Sequence, residues 1–361
     1  MKVLHICEYT KGGIETYISE VLSYQKQAQH ISKTSIVLSD YGVNEKVYED
    51  ANPYIYNYVR KPQHFLNAIK EISKAVKAEQ PDIIHVHSTF AGVFARLPFL
   101  FKSKRPLIVY CSHGWSFTME ISTWKKKIFG FVERVLASKT DLIINISNNE
   151  LNESLAYNLP KEKSVVVYNG IKDKQTDSTK KLDLDLDQTK INLLFIGRFD
   201  KQKGLDILID FFMKNPLKNV KLYVIGESVL KESSIQMPDN IVSLGWVDNE
   251  MIDQYYKAFD AVIVPSRWEG FGLVAIEAMR NKKALIVSDR GALPELVENG
   301  VNGYSFDLDN YVELKSILSD LRKDTLEAMG EKGYAMFLDK FTSEQMNQKI
   351  IEQYQVLINQ K

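Results

Sequence analysis

Two α/β domains in tandem, each a doubly wound parallel sheet, are what this sequence predicts, and three observations carry the reading. Short runs rich in Val, Ile and Leu alternate with longer amphipathic segments along the whole chain, the pattern of parallel strands covered by helices on both faces. The 361 residues, 45% of them hydrophobic, exceed what one core organises and suit two domains of roughly 150 to 180 residues each. Between residues 172 and 190 the alternation breaks at KDKQTDSTKKLDLDLDQTK, a charged stretch poor in aromatics that reads as a linker.

The first domain, residues 1–171, takes strands at KVLHIC (2–7), TSIVL (34–38), DIIHVH (82–87), PLIVYC (106–111), DLIINIS (141–147) and SVVVY (164–168). Each is a short apolar run of the kind buried on both faces. Helical spacing of apolar residues places helices between them at 14–29, 64–79, 90–101, 123–138 and 148–157. The second domain, residues 191–340, opens at INLLFIG and continues through VKLYVIG, NIVSLG, DAVIVPS and ALIVS, again with helices between. Residues 341–361 end in SEQMNQKIIEQYQVLINQ, whose apolar residues recur at helical spacing.

Formal net charge is zero, which argues against a general nucleic-acid binder. The charge is nevertheless uneven: residues 1–170 carry 21 Lys and Arg against 16 Asp and Glu, so the remainder is acidic by the same margin. Cys7 and Cys111 end apolar runs and read as small buried hydrophobes of a reducing compartment. MKVLHICEYT reads as a first strand rather than a signal peptide, and no run approaches the roughly 18 apolar residues of a membrane span. A cytoplasmic protein is expected.

The most informative segment is PSRWEGFGLVAIE (265–277). It follows a buried-type strand and opens a helix, so Glu269 and Glu277 flank a helix N-terminus. Unpaired N–H groups and the positive end of the helix dipole favour a phosphate there, while Gly270 and Gly272 let a ligand approach the backbone around Phe271 and Leu273. A carboxylate that reaches past the phosphate accepts hydrogen bonds from sugar hydroxyls. With Pro265-Ser266 before it and SDRGALPELV (288–297) after it, EGFGLxxxE resembles the nucleotide-sugar signature of glycosyltransferase family four, the retaining GT-B enzymes. The resemblance spans nearly the whole chain. It implies two Rossmann-like domains facing a central cleft, with the C-terminal helix crossing back onto the first.

Other segments gain meaning beside this one. GRFDKQKG (197–204) follows the first strand of the second domain and offers Arg198 and Lys203, a planar fork and a point charge suited to a diphosphate leaving group. KGGIET (11–16) joins the first strand to the first helix through Gly12 and Gly13, a plain turn on its own and a donor-facing loop by resemblance. YCSHGWSF (110–117) ends a strand with His113, the preferred active-site histidine by the family's histidine motif. His87, beside His85, is an acceptor-side candidate, and Trp115 and Phe117 form either a sugar-facing apolar surface or core. Gly226 with Glu227, and Gly245 to Val247, end strands where a nucleotide base would lie. The DLDLD run lies in the linker and is not expected to hold a metal. Lys125, Lys126 and Lys127 with Trp124, Ile128, Phe129 and Phe131, and the nearby Lys102, Lys104 and Arg105, suit either an anionic bilayer surface or an ordinary amphipathic helix.

The resemblance thus implies transfer of a hexose or N-acetylhexosamine from a nucleotide diphosphate sugar to a hydroxyl, with retention and without a metal. It assigns the diphosphate to Arg198 and Lys203, ribose to Glu277, and the sugar to Glu269, the backbone from Gly270 to Leu273, and His113. Family habit points to a UDP donor, a polyprenyl-diphosphate-linked sugar acceptor, and surface polysaccharide assembly on the inner face of the cell membrane. GDP stays open as the nucleotide. Three rivals remain: another GT-B activity, namely a nucleotide-sugar 2-epimerase or a phosphorylase, for which no segment offers a recognisable pyridoxal lysine; a non-catalytic nucleotide-sugar-binding subunit; and a dinucleotide oxidoreductase. The last lacks a G-x-G-x-x-G after either first strand.

Overall fold

The computed structural model describes residues 1–43, 48, 51–174, 182, 184–227 and 237–360. The chain divides into two compact units, Met1–Lys172 with Ser343–Lys361, and Asp173–Thr342.

In the first unit seven strands form one sheet: β1 (Lys2–Cys7), β2 (Lys33–Ser39), β3 (Tyr54–Tyr56), β4 (Ile83–His87), β5 (Leu107–Cys111), β6 (Leu142–Asn145) and β7 (Ser164–Val166). Their order is β3-β2-β1-β4-β5-β6-β7, every neighbour pair parallel. Because the order reverses between β1 and β4, the crevice at the carboxyl ends of those strands is where ligands bind in such sheets. Helices α1 (Gly13–Gln25), α2 (Phe65–Glu79), α3 (Thr89–Arg96), α4 (Thr123–Ala137) and α5 (Asn148–Ala156) connect the strands. Leu4, Ile6, Val37, Ile84, Val86, Ile108, Tyr110 and Ile143 are buried in the core they cover. The C-terminal helix, Ser343–Asn359, belongs to this unit: Ser343 Oγ donates to Glu20 Oε2 of α1 at 2.7 Å, and Tyr354 lies with its hydroxyl 2.5 Å from His85 Nδ1.

A buried ion pair joins α3 to α4. Arg96 Nη2 lies 2.6 Å from Glu133 Oε2, Tyr110 donates to Glu133 Oε1 at 2.9 Å, and the guanidinium sits 3.7 Å above the Tyr110 ring. Arg96 Nε also donates to Gly92 O at 2.8 Å. Such a pair is held by its partners, since either charge alone would be stranded in the core.

The second unit repeats the winding. Its strands β8 (Ile191–Ile196), β9 (Val220–Ile225), β10 (Ile241–Gly245), β11 (Ala261–Val264), β12 (Ala284–Ser288) and β13 (Gly303–Phe306) lie in the order β10-β9-β8-β11-β12-β13. The reversal here falls between β8 and β11. Helices α6 (Leu205–Lys214), α7 (Ile252–Ala258), α8 (Leu273–Arg280), α9 (Tyr311–Ser319) and α10 (Lys323–Lys340) flank the sheet. Leu193, Phe195, Leu222, Val224, Ile263 and Ile286 fill its core with Leu208 and Phe211 of α6.

The two doubly wound sheets match the expected fold class, and the differences have local causes. β3 is a three-residue edge strand, too short to register as an apolar run. β13 begins at Gly303, which reads as a turn residue, yet a Cβ there would stand 2.1 Å from Leu285 O, so only glycine lets this strand pair so closely with β12. The helix expected at 90–101 ends at Arg96, where Pro98 turns the chain into a short 3-10 segment. Residues 175–181 and 183 of the linker lie outside the described residues, and with them Asp183 of the DLDLD run. Asp187 of that run is occupied locally, accepting from Thr189 N at 3.0 Å and pairing with Lys190 at 3.3 Å.

Candidate active site

In the second unit Arg198, Lys203 and Glu269 stand on loops at the carboxyl ends of β8 and β11, the two strands flanking the reversal. The loop after β8 carries Arg198 and Lys203; the loop after β11 carries Glu269 and leads through Gly270, Phe271 and Gly272 into α8 at Leu273. Lys203 Nζ lies 2.6 Å from Glu269 Oε2, and Ser266 Oγ donates to the same oxygen at 3.3 Å. A cation and a carboxylate are thereby held side by side beneath a helix N-terminus, whose first N–H groups have no partner within the helix. Arg198 is half-exposed, its guanidinium 3.0 Å from Asp200 Oδ2 and 3.1 Å from Gln202 Oε1.

Glu277 projects one helical segment further on. Tyr256 of α7 donates to its Oε2 at 2.8 Å, and burial raises the carboxyl above its usual range while Tyr256, Arg280 and Lys203 pull it back. The Phe271 side chain is core, edge-on to Phe341 at 5.7 Å. Gly226 N donates to Gly245 O at 2.9 Å, which fastens the ends of β9 and β10, with Val247 in the loop beyond.

The loops approach one another backbone to backbone. A Cβ on Gly204 would stand 2.1 Å from Pro265 O, and one on Gly226 would stand 1.9 Å from Gly197 O. A Cβ on Gly291, in the segment after β12, would stand 2.3 Å from Glu269 O, and Ala292 N donates to that carbonyl at 3.0 Å. Thus Gly291 and Ser288, whose Oγ donates to Ser266 O at 2.6 Å, hold the Glu269 loop from behind. The sequence reading had Gly291 and Ser288 within its motif and gave them no role; Tyr256 carried no sequence signal.

In the first unit Gly12 caps α1 and Gly13 begins it, at the end of β1. His113 follows β5 in a left-handed conformation, φ 54°, with Gly114 after it. Glu150 lies behind this turn. It caps the start of α5, where Glu150 N donates to Ser147 Oγ at 3.0 Å and Ile146 N, one residue before the N-cap, donates to Glu150 Oε2 at 3.1 Å. Burial pushes its carboxyl up to about 7, against the N–H groups of Ile146, Gly114 and Trp115 and the Ser112 hydroxyl, which pull it down. The spacing S-N-N-E at 147–150 was the signal that could have found it.

One expectation is corrected here, and two readings left open by the sequence are narrowed. His87 is fully buried, hydrogen-bonded through Nδ1 to His113 Nε2 at 3.0 Å, and so is not an acceptor-side residue. Trp115 and Phe117 are core, the indole N–H donating to Asn145 Oδ1 at 3.2 Å and Glu150 O at 3.1 Å. Phe129 packs on the same core, whereas Trp124, Ile128 and Phe131 of α4 are exposed. Glu8, which the sequence reading passed over, lies buried at the end of β1 and accepts from Arg60 Nε and Nη2 at 2.7 and 2.9 Å, beside Tyr9, Tyr41 and Phe90.

Comparison with known proteins places this arrangement. The sequence model described as Glycosyltransferase Family 4 matches residues 11–175, and that described as Glycosyl transferases group 1 matches residues 174–336. An uncharacterized 41.2 kDa protein in the cps region of Klebsiella pneumoniae is 32% identical over 342 residues, 92% of each chain. The capsular polysaccharide biosynthesis glycosyltransferase CapM of Staphylococcus aureus is 25% identical over 308 residues, 78% of each. Among solved structures, Anabaena HepE in complex with UDP superposes with a TM-score of 0.80 at 20% identity, over 99% of this chain and 100% of that one. Sucrose-phosphate synthase from Thermosynechococcus elongatus gives 0.80 at 18% identity over 100% of both chains. At these identities the solved structures speak for the fold, the GT-B architecture of two Rossmann-like domains. The family matches and the 32% relative speak for kinship, and on them the chain belongs to the glycosyltransferases, its N-terminal part of the Family 4 type and its C-terminal part of group 1.

Proposed function

We propose that this glycosyltransferase moves a hexose or N-acetylhexosamine, with retention, from a UDP-sugar to a hydroxyl of a polyprenyl-diphosphate-linked sugar in surface polysaccharide assembly. The observation that carries the reading is the Lys203–Glu269 pair at the β8–β11 reversal, 2.6 Å apart at the head of α8, with Glu277 farther along the same helix. The family to which the chain belongs, the UDP complex of HepE and the capsular relative CapM support it.

On this reading Lys203 and Arg198 hold the diphosphate, Glu277 accepts from ribose hydroxyls, and Glu269 with the backbone from Gly270 to Leu273 holds the sugar. Gly12 and Gly13 keep the end of β1 open to the donor, and the reading assigns His113 to the donor sugar. The anomeric carbon–phosphate oxygen bond breaks as the acceptor oxygen–carbon bond forms on the same face. The acceptor proton passes to the departing phosphate oxygen, whose growing charge Lys203 and Arg198 offset. Catalysis is then electrostatic and positional, and these cations take the part a metal ion plays elsewhere.

The acceptor requires a surface, and α4 supports one. Trp124, Ile128, Phe131 and Val135 recur at helical spacing along its outer side, each between 40% and 61% exposed, and Phe101 before it is 99% exposed. Lys125 and Lys127 flank that stripe while Lys126 lies on the opposite side of the helix, and the two flanking cations suit an anionic bilayer. Among the described residues no helix is long and apolar enough to cross a membrane, so the contact proposed is peripheral, on the inner face.

The test is a mass-spectrometric screen of UDP-, GDP- and TDP-sugars with and without a lipid-diphosphate-sugar acceptor. Acceptor-dependent release of UDP with a matching mass gain is the expected result. Donor isomerisation without acceptor would replace this reading with a 2-epimerase, and saturable binding without turnover with a binding subunit. For the membrane contact, Lys125, Lys126 and Lys127 changed together to Gln should abolish cosedimentation with phosphatidylglycerol vesicles; unchanged cosedimentation would remove it.

A further inference from the structure

Beneath His113 runs a column of imidazoles. His113 Nε2 lies 3.0 Å from His87 Nδ1, His87 Nε2 lies 3.0 Å from His5 Nδ1, and His5 Nε2 lies 2.9 Å from Gln25 Oε1. His5, His87 and Gln25 are fully buried, on β1, β4 and the last turn of α1. The outer end of the column is Cys111 Sγ, 3.6 Å from His113 Nδ1.

A neutral imidazole has one N–H and one lone pair, so each link dictates the next. Gln25 Oε1 only accepts, which puts the His5 proton on Nε2 and leaves Nδ1 to accept from His87 Nε2–H. His87 Nδ1 then accepts from His113 Nε2–H, and His113 Nδ1 is left as a lone pair toward the Cys111 thiol. The inner end is an amide, which neither takes up nor releases a proton at working pH. The column therefore cannot conduct protons; it can only set a tautomer.

We propose that Gln25, His5 and His87 are positioning residues that lock His113 as a neutral imidazole with its Nε2–H turned inward. The proposal rests on the reading that His113 stands at the donor sugar. A sugar losing its phosphate takes on oxocarbenium character, and a neutral ring adds no positive charge beside it. Burial agrees with the geometry, holding His5 down to about 4 and His113 down to about 3. The titratable groups facing the column are Tyr17 of α1, 4.5 Å from the His113 ring, His85 of β4, 4.1 Å from the His87 ring, Cys7, Cys111 with Glu150 behind it, and Tyr354.

A metal site is the competing explanation, because one nitrogen from each of His5, His85 and His87 falls within 4.8 Å of the others. The bonding disfavours it. All four ring nitrogens of His5 and His87 are already engaged, and a zinc ion held at about 2 Å would need the lone pairs those bonds use.

The test uses the full-length chain labelled with nitrogen-15 on histidine, and the variants Gln25→Leu and His87→Gln. Long-range proton–nitrogen spectra read the tautomer without substrate, so this arm does not depend on which reaction the protein catalyses. In the wild type His113 should stay in the Nε2–H form from pH 8 to pH 5.5, and in Gln25→Leu it should populate both tautomers over the same range. Turnover should fall between about 10- and 100-fold in both variants with donor KM little changed. A variant that is only less stable would lower Tm and leave the Nε2–H tautomer in place. An Nδ1–H tautomer in the wild type would overturn the proposal, as would unchanged turnover in a Gln25→Leu chain whose tautomer is released. So would stoichiometric zinc retained by the wild type after dialysis and lost in His87→Gln. A locked column in a chain that transfers no sugar would overturn the role at the sugar and leave the lock.

Discussion

Replacing Glu150 with glutamine should remove a pH dependence that the wild-type chain carries between pH 4.5 and 7. Glu150 is buried at the head of α5, and its carboxyl rises from the ordinary 4.5 to about 7 because burial outweighs the donors around it. Across that window the unfolded chain is ionised and the native chain still binds the proton, so stability falls as pH rises. Its contribution is fully present below pH 4.5 and is lost once the pH passes about 7. The interval, at about 1.4 kcal/mol for each pH step, amounts to about 3 kcal/mol. Glutamine mimics the protonated acid, keeps an acceptor for Ile146 N and never ionises. Urea unfolding of both chains from pH 4 to 8 is the assay, and the difference between their free energies is the quantity that matters. The buried histidines act in the other direction, destabilising both chains as pH falls below about 6.5, and they cancel in the difference. The expected course is near equality at pH 4.5, with the variant gaining about 3 kcal/mol by pH 7.5. A constant difference across the range, or one that favours the wild type as pH rises, would refute the reasoning.

Glu133→Ala strands Arg96 in the core and should cost about 3 to 5 kcal/mol in urea unfolding, most of it recovered when Arg96 is also changed to Met. Gly291→Ala drives a Cβ toward Glu269 O, which it would meet at 2.3 Å; donor KM should rise at least about tenfold in steady-state kinetics as the Glu269 loop shifts. Lys203→Ala should lower kcat by about 100-fold or more with a smaller effect on KM, while Glu277→Ala weakens UDP binding in calorimetry. Equal UDP affinity for Glu277→Ala and wild type would remove the ribose assignment.

What the sequence made legible was local. The apolar runs that became β1, β4, β5, β8, β11 and β12 are buried on both faces and advertise themselves. The Gly-Phe-Gly step reads as a strand-to-helix turn because α8 starts at the next residue. What stayed hidden depends on register and crossover. His85 and His87 share a face by the two-residue period of a strand, but His5 stands opposite His85 only because β1 pairs with β4 across 80 residues of chain. For that reason His87 read as an acceptor-side residue when its place is inside the sheet's cover. Arg96 and Glu133 are likewise brought together by the packing of two helices, and no spacing rule joins residues on separate elements. Edge elements were lost for the opposite reason: β3 and β13 are short and carry too little apolar sequence to stand out from loops.

The close backbone approaches in the second unit also bear on how this enzyme's donor preference can be altered. Carbonyls of Gly197, Pro265 and Glu269 stand where the side chains of Gly226, Gly204 and Gly291 would otherwise be. The loops after β8, β11 and β12, with Gly226 at the end of β9, are thus fitted to each other as one interlocking surface, with no slack to absorb a foreign backbone path in any single member. Grafting one loop from a relative with a different donor should yield a poorly folded hybrid. Grafting the four as a set, with their glycines, transfers a surface that already fits itself, so the loop set is the unit of exchange.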